Sequence, residues 1–225
     1  MNKEWSELNK QMQLQLKKKE SFSDGIDTLF LLRQKLMKQI ERFKSELTKK
    51  DFCTVLFKNA NGYHSKTIAY SLWHIFRIED IVANTLIADK QQVFFVENYD
   101  KRIGSAIITT GNEITNDELA EFSERLNIDE LYNYIYAVDK AAMDIVGGLT
   151  FEDMKTKISD ERKNKLLSLN VVAEEEAAAW LIDYWCGKDI RGLVQMPLSR
   201  HWIMHIEASV RIADKINAMK NKENL

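Results

Sequence analysis

Proline and glycine are scarce in this chain of 225 residues, which contains one proline and eight glycines. An all-β sandwich or barrel needs many tight turns, and such turns usually contain one of these two residue types. Their scarcity argues against those folds and favours long helices joined by short connections. Hydrophobic residues make up 45% of the chain and charged residues 29%, a composition typical of a globular protein rather than a disordered one.

Cysteine is also rare, since Cys53 and Cys186 are the only two and neither belongs to a Cys-x-x-Cys motif. Neither a disulfide framework nor a thiolate zinc site is therefore indicated. The formal net charge is −2, so no strong field attracts nucleic acid. No apolar run approaches the roughly 20 residues that span a bilayer, and the polar N-terminus lacks the pattern of a signal peptide. We therefore expect a cytoplasmic protein that binds neither nucleic acid nor a membrane.

Four long segments have apolar residues every three or four positions, the spacing of a helix with one buried face. The first begins at a cap formed by Ser23 or Asp24 and extends to residue 47, and the second covers residues 68–86. The third covers 128–149, and the last runs from about 199 to 218 behind Pro197. These segments predict the main helices of an all-α fold.

Shorter helices are predicted between the long ones. Residues 1–20 favour a weakly packed helix, and residues 177–186 favour an aromatic-rich one. Thr115 and Glu118 have the spacing of a capping box, and another short helix is expected to start at Thr150 and continue through Ile158. Residues 90–126 are otherwise irregular. We interpret them as an elaborated crossover within a single helical bundle that covers residues 1–225.

His201 and His205 lie four residues apart in the last predicted helix. This spacing puts both imidazoles on one helix face, where they can bind the same metal ion. His74, in the second long helix, would complete a three-nitrogen site if the two helices pack together. Such a site leaves coordination positions open, as catalytic metal sites do. A purely structural role also stays open, because buried histidines are often hydrogen-bonded within a core.

The neighbours of His74 offer further candidates. Tyr70 precedes it by four residues and Arg77 follows it by three, so both are predicted to border a metal pocket. There they would offer a hydroxyl group and a fixed positive charge to an anionic cofactor. The alternative is that Tyr70 belongs to the core and that Arg77 pairs with an acid such as Glu79 or Asp80.

The fourth histidine and three tryptophans are further candidates for the metal site or its surroundings. His64 lies ten positions before His74, about 280° around an ideal helix, so we expect it outside the metal site. The tryptophans Trp180, Trp185 and Trp202 either line a substrate cavity or fill the core, and the sequence does not distinguish these alternatives.

The segment SLWHIFRIED at residues 71–80, together with His-x-x-x-His in the last helix, resembles the DinB/YfiT-like family of metal-binding four-helix bundles. The resemblance spans most of the chain in the order of its elements. It implies an up-down-down-up bundle, here with extra short helices in the connections. It also implies that the metal ligands are His74 from the second helix and His201 and His205 from the last.

The resemblance further implies a divalent metal, either nickel, zinc, iron or manganese, and a homodimer. Characterised relatives include bacillithiol- and mycothiol-dependent transferases and a mycothiol-dependent maleylpyruvate isomerase. The expected function is transfer of a low-molecular-weight thiol, such as bacillithiol, to a small electrophilic substrate. The alternatives are a metal-dependent hydrolase, a non-catalytic metal- or ligand-binding bundle associated with stress, and a structural protein with histidines in its core.

Overall fold

The structure is a computed structural model that describes residues 2–223. Within that range the chain is helical, and the only β-type pairing is an isolated bridge between Lys157 and Asp189. Its α-helices are α1 (Lys3–Gln15), α2 (Phe22–Glu46), α3 (Lys49–Cys53), α4 (Ile68–Asp80), α5 (Val93–Val96), α6 (Tyr99–Arg102), α7 (Leu119–Arg125), α8 (Ile128–Gly147), α9 (Asp160–Ser168), α10 (Glu176–Cys186), α11 (Ile190–Gln195) and α12 (His201–Glu223). The predicted all-α class is confirmed.

Two other kinds of helix occur between these elements. Three short 3₁₀ turns lie at Lys19–Ser21, Gly62–Ser65 and Asp153–Lys155. Two π-helical segments are continuous with long helices, one at Ile81–Ile87 after α4 and one at Met196–Arg200 before α12. Among the described helices, none combines the length and the apolar composition needed to cross a lipid bilayer.

Helix α4 is the centre of the molecule, because every one of its residues is buried. It packs against α8 and α12, and both of these helices also contact α2. Apolar side chains from the four helices form a shared core, with Leu36, Ile75, Ile135 and Ile206 among its fully buried members. A helix buried on all sides must pair any charged side chain that it carries, and α4 carries three of them close to His74.

The predicted long helices are present, with changes at their ends. Helix α2 starts at Phe22 rather than at a cap on Ser23 or Asp24, because the 3₁₀ turn before it already directs the chain into the helix. The predicted helix over residues 68–86 changes from α to π geometry after Asp80. The last helix follows a π-helical segment that contains Pro197.

Two predictions about short helices are wrong. Helix α1 is not weakly packed, since Trp5 and Met12 are buried and α1 lies along α2, where Gly25 allows close approach of Leu16. The expected helix from Thr150 through Ile158 is only a 3₁₀ turn. The chain leaves helical geometry there to form the isolated bridge at Lys157.

The crossover over residues 90–126 contains α5, α6 and α7. The predicted capping box is only half formed: the backbone N–H and the hydroxyl of Thr115 both donate to Glu118, but α7 begins later, at Leu119, and no side chain caps it. Between α6 and α7 an irregular segment lies across α4, where the carbonyl groups of Thr110 and Gly111 contact side chains of that helix. This segment brings backbone acceptors to the centre of the molecule.

Candidate metal centre

His74, His201 and His205 converge where α4 contacts the first turns of α12. One potential ligand atom from each residue lies within 4.8 Å of the corresponding atoms of the other two. The Nε2 atoms of His74 and His201 are 3.2 Å apart. All three residues are buried, with at most 8% of any one exposed. The three predicted ligands therefore form one cluster, although 127 positions separate the first from the second.

A backbone carbonyl fixes the proton position on His74. Its Nδ1 atom lies 2.6 Å from the carbonyl oxygen of Thr110. Because a carbonyl can only accept, Nδ1 must carry the proton, which leaves the lone pair of Nε2 directed toward His201. Histidines that bind metals usually donate their other ring N–H to a carbonyl or a carboxylate in this way.

The imidazoles of His201 and His205 are not held by core hydrogen bonds through Nδ1. Both Nδ1 atoms are buried and have no hydrogen-bond partner among residues 2–223. Among the described residues, the only hydrogen-bond contact of the imidazole ring of His201 is with the ring of His74. A core histidine kept for structure would satisfy its buried nitrogen atoms with neighbouring groups, since leaving them unpaired costs free energy.

Burial keeps all three imidazoles neutral. It lowers the pKa of His74 to about 4, against the opposing effect of the Thr110 carbonyl. The pKa values of His201 and His205 fall well below the usual range because of burial and, secondarily, repulsion from the neighbouring imidazoles. Neutral imidazole is the form that binds a metal, so no proton has to be displaced at neutral pH.

The spacing of the nitrogen atoms fits a divalent ion. Two nitrogen ligands at roughly 2.0–2.1 Å from a tetrahedral ion lie about 3.3 Å apart. The separation of 3.2 Å between His74 Nε2 and His201 Nε2 is close to that value. His74 and His201 can therefore bind one metal ion without a large movement of either ring, and a ligand atom of His205 lies within 4.8 Å of theirs.

Tyrosine rings support two of the imidazoles. Tyr70 is stacked on His74, with ring centroids 5.4 Å apart and planes inclined by 11°. Tyr63 contacts His205 edge-on at a centroid distance of 4.5 Å. The hydroxyl of Tyr70 donates to the carbonyl of Gly111 at 2.9 Å. Tyr70 therefore borders the centre through its ring, while its hydroxyl holds the crossover segment rather than facing a cofactor.

The structure places Arg77 outside the centre, in the second of the two roles that the sequence leaves open. Its guanidinium group is buried 3.6 Å from the carboxylate of Asp80 and donates to the carbonyl of Ile108 at 2.7 Å. It also lies over the ring of Phe94. A fully buried guanidinium needs acceptors on several sides, and these neighbours supply them. The pairing with Asp80 is the alternative interpretation of this residue, and Arg77 does not line the cavity beside the imidazoles.

His64 lies outside the cluster, as expected. Its Nε2 atom is 3.2 Å from the guanidinium of Arg211. The group of potential ligands found among the described residues contains the other three histidines and not this one.

A cavity of about 250 Å³ opens beside the three imidazoles. Trp180 and Trp185 of α10 line it together with Tyr63 and Tyr184, whereas Trp202 is fully buried against Phe76. The two tryptophans are candidates from the sequence, whereas both tyrosines are found only in the structure. A tyrosine one turn from a tryptophan on a short helix is the only signal that points to Tyr184, and Tyr63 lies in a 3₁₀ turn that no periodicity predicts.

A buried ion pair supports the segment before His201. Arg33 of α2 forms a two-pronged pair with Glu79, at 2.6 and 2.9 Å, and donates to the carbonyl of Leu198 at 3.1 Å. Its guanidinium also lies 4.1 Å from the ring centre of Trp202. These contacts hold the residues on both sides of His201. The pairing raises the pKa of Arg33 despite burial, so its charge is permanent.

A scan of the sequence against models of known protein families finds no match, and a search of curated proteins finds none either. The chemistry of the centre has to be inferred from its own residues.

Proposed function

We propose that this protein is a metal-dependent enzyme that transfers a low-molecular-weight thiol to a small electrophilic substrate. The observation that carries the proposal is the convergence of His74, His201 and His205 as three buried, neutral imidazoles beside a cavity. A set of three nitrogen ligands leaves a coordination position for a reactant, as in catalytic rather than structural zinc sites.

The donor set narrows the choice of metal. Imidazole ligands suit zinc, nickel and iron, whereas manganese prefers carboxylate and other oxygen ligands. The cluster of potential ligands in the described chain contains no carboxylate, so zinc, nickel and iron are favoured over manganese. A bound divalent ion supplies Lewis acidity that lowers the pKa of a thiol or of water.

The protein's own groups have separate roles in this reaction. His74, oriented by the Thr110 carbonyl, and the two histidines of α12 bind the ion. The aromatic walls of the cavity exclude water and hold the electrophile beside the site of attack. Bacillithiol is the thiol that we propose first, because of the sequence resemblance.

We also propose that the chain is a homodimeric member of the DinB/YfiT-like family, with a single domain over residues 1–225. Helices α2, α4, α8 and α12 would be the four helices of its up-down-down-up bundle. Two features support this assignment: α4 contacts α8 and α12, and the ligands come from the second and the last of these helices.

Metal analysis tests the centre. The untagged protein should bind about one zinc or nickel ion per chain, and His74→Ala, His201→Ala and His205→Ala should each weaken binding by at least about tenfold. His64→Ala is the matched control, because this histidine pairs with Arg211 outside the cluster. Absence of stoichiometric metal in the wild type, or equal losses in all four variants, would reject the centre.

Activity is tested with the metal-loaded protein, a thiol and a panel of electrophiles. Bacillithiol, glutathione and coenzyme A should be compared, and the adducts identified by mass spectrometry. We expect a thiol adduct with the wild type and His64→Ala and none above the uncatalysed rate with His201→Ala. Addition of water instead of the thiol would indicate a hydrolase. Stoichiometric metal without any product would indicate a binding protein, and either result would overturn the transferase proposal.

A further inference from the structure

The walls of the cavity beside the imidazoles are aromatic and uncharged. Four of the residues that line it are tyrosine or tryptophan, namely Tyr63, Trp180, Tyr184 and Trp185. Leu181 and Met196 add apolar surface. No aspartate, glutamate, lysine or arginine belongs to the lining formed by the described residues. Apart from the imidazoles, such a lining offers no partner for a charged group.

The aromatic wall extends from the rim of the cavity to its base. On α10, Trp180 is 51% exposed, whereas Trp185 is 1% exposed. Tyr184 lies between them, with its ring centroid 5.4 Å from that of Trp180. The indole N–H of Trp180 donates to the carbonyl of Ala177 within its own helix, so this side chain offers a ligand mainly its ring. A half-exposed indole at the mouth of a cavity is well placed to contact a second aromatic ring.

The charge of the ligand is restricted by the same walls. Burying a charged group without a partner in an apolar environment is strongly unfavourable. Two cations lie nearby but outside the lining: Lys66 donates to Asn116, and Arg200 is exposed. Neither supplies an ion pair within the cavity. The part of a ligand that contacts α10 must therefore be neutral.

The size of the cavity limits the ligand to about one ring. An apolar cavity of roughly 150 Å³ in another protein is large enough to hold benzene. The volume of about 250 Å³ leaves room for a ring with a short substituent. Asn112 also lines the cavity, so a neutral polar substituent can form a hydrogen bond with its side chain. A molecule as large as a tripeptide thiol would extend beyond the mouth.

We propose that this cavity binds an uncharged molecule with a single aromatic ring. Its identification as the electrophilic substrate rests on the function proposed above, whereas its binding does not require the metal.

The test uses the metal-free protein and two probes that share a ring but differ in charge, benzyl alcohol and benzoate. Without metal, benzoate has no cation to bind within the cavity. Isothermal titration should give a dissociation constant of about 1 mM or below for benzyl alcohol, within the range for so small a ligand. Binding of benzoate should be at least about tenfold weaker. Equal or tighter binding of benzoate, or no binding of benzyl alcohol, would overturn the proposal.

Two variants locate the binding site. Trp180→Ala should weaken benzyl alcohol binding by about three- to tenfold, whereas Tyr136→Ala, which removes a partly exposed aromatic ring outside the cavity, should not change it. Leu181→Trp fills the cavity and should abolish binding, so the conclusion does not depend on one variant's folding. Unchanged binding in both cavity variants would overturn the assignment.

The outcomes separate this inference from the proposed function. Stoichiometric metal in a wild type that does not bind benzyl alcohol would reject the aromatic site alone. Benzyl alcohol binding in a wild type that takes up no metal would reject the metal-dependent enzyme and leave the aromatic site in place.

Discussion

Substitution of Gly111 tests whether the crossover segment positions His74. The φ angle of Gly111 is +77°, and a Cβ atom there would lie 2.6 Å from the Trp73 ring and 3.2 Å from the Tyr70 ring. The left-handed backbone costs about 1–2 kcal/mol for a residue with a side chain, and forcing the extra carbon into a packed core costs about 1–3 kcal/mol. Gly111→Ala should therefore lower the free energy of unfolding by about 2–5 kcal/mol.

The same substitution should weaken metal binding. Relief of the contact with Trp73 requires the segment to move, and Gly111 is adjacent to Thr110, whose carbonyl accepts from His74 Nδ1. Loss of a hydrogen bond that orients a metal ligand typically lowers metal affinity by about 10- to 100-fold. We expect a decrease of that size for zinc, measured by titration under conditions where the variant is folded.

Two other glycines with positive φ angles provide matched controls. Gly62→Ala, at φ +69° with nothing within 4 Å of the new carbon, introduces only the backbone strain. Gly104 has a φ angle of +76°, and a Cβ atom there would lie 2.8 Å from the carbonyl oxygen of Arg125. Gly104→Ala therefore introduces backbone strain together with a close contact outside the metal centre. Unfolding by urea should show a small loss of stability for the first and a larger one for the second. Neither should change zinc affinity by more than about threefold.

One combination of results would show that the crossover segment does not position His74. If Gly111→Ala lost as much stability as Gly104→Ala but bound zinc as tightly as the wild type, the Thr110 carbonyl would not be what orients His74.

Two further predictions concern stability. Burial lowers the pKa of His74 from 6.5 to about 4, so the unfolded chain binds more protons than the folded one between these pH values. As the pH falls from 6.5 to 4, this residue should therefore lower the free energy of unfolding of the metal-free protein by about 3 kcal/mol. Urea unfolding at several pH values checks this, and an equally steep loss in His74→Gln would contradict it. Arg33→Met should lower the free energy of unfolding by about 3–5 kcal/mol, because the buried carboxylate of Glu79 would lose the guanidinium group that pairs with it. Adding Glu79→Gln should restore part of that stability, and no recovery in the double variant would argue against the ion pair as the cause.

The spacing of His201 and His205 is sufficient to predict that they share a helix face, because helical periodicity fixes the direction of side chains within one element. Helical periodicity alone does not determine which other helix packs against that face. The inclusion of His74 depended on the family resemblance and on the assumption that two long helices meet, which the contact between α4 and α12 satisfies.

The features of the centre that the sequence does not predict lie where helical periodicity gives no information. Thr110 belongs to an irregular segment, and its contribution is a backbone carbonyl, which every residue type carries. For Arg77, spacing alone left two alternatives. A side chain three residues from His74 can face the metal pocket or an adjacent one. Because the acceptors that surround the Arg77 guanidinium are buried in the adjacent pocket, the side chain lies there.

The π-helical segment Met196–Arg200 determines how α12 is rotated about its own axis. A π-type turn accommodates one residue more than an α-type turn between hydrogen-bonded groups. Each residue advances an α-helix by about 100°. If the same residues formed a regular α-helix instead, the extra residue would rotate His201 and His205 together by about that angle, away from His74. The proposed catalytic centre thus depends on one extra residue in a π-helical turn, and Arg33 holds that turn by donating a hydrogen bond to the carbonyl of Leu198.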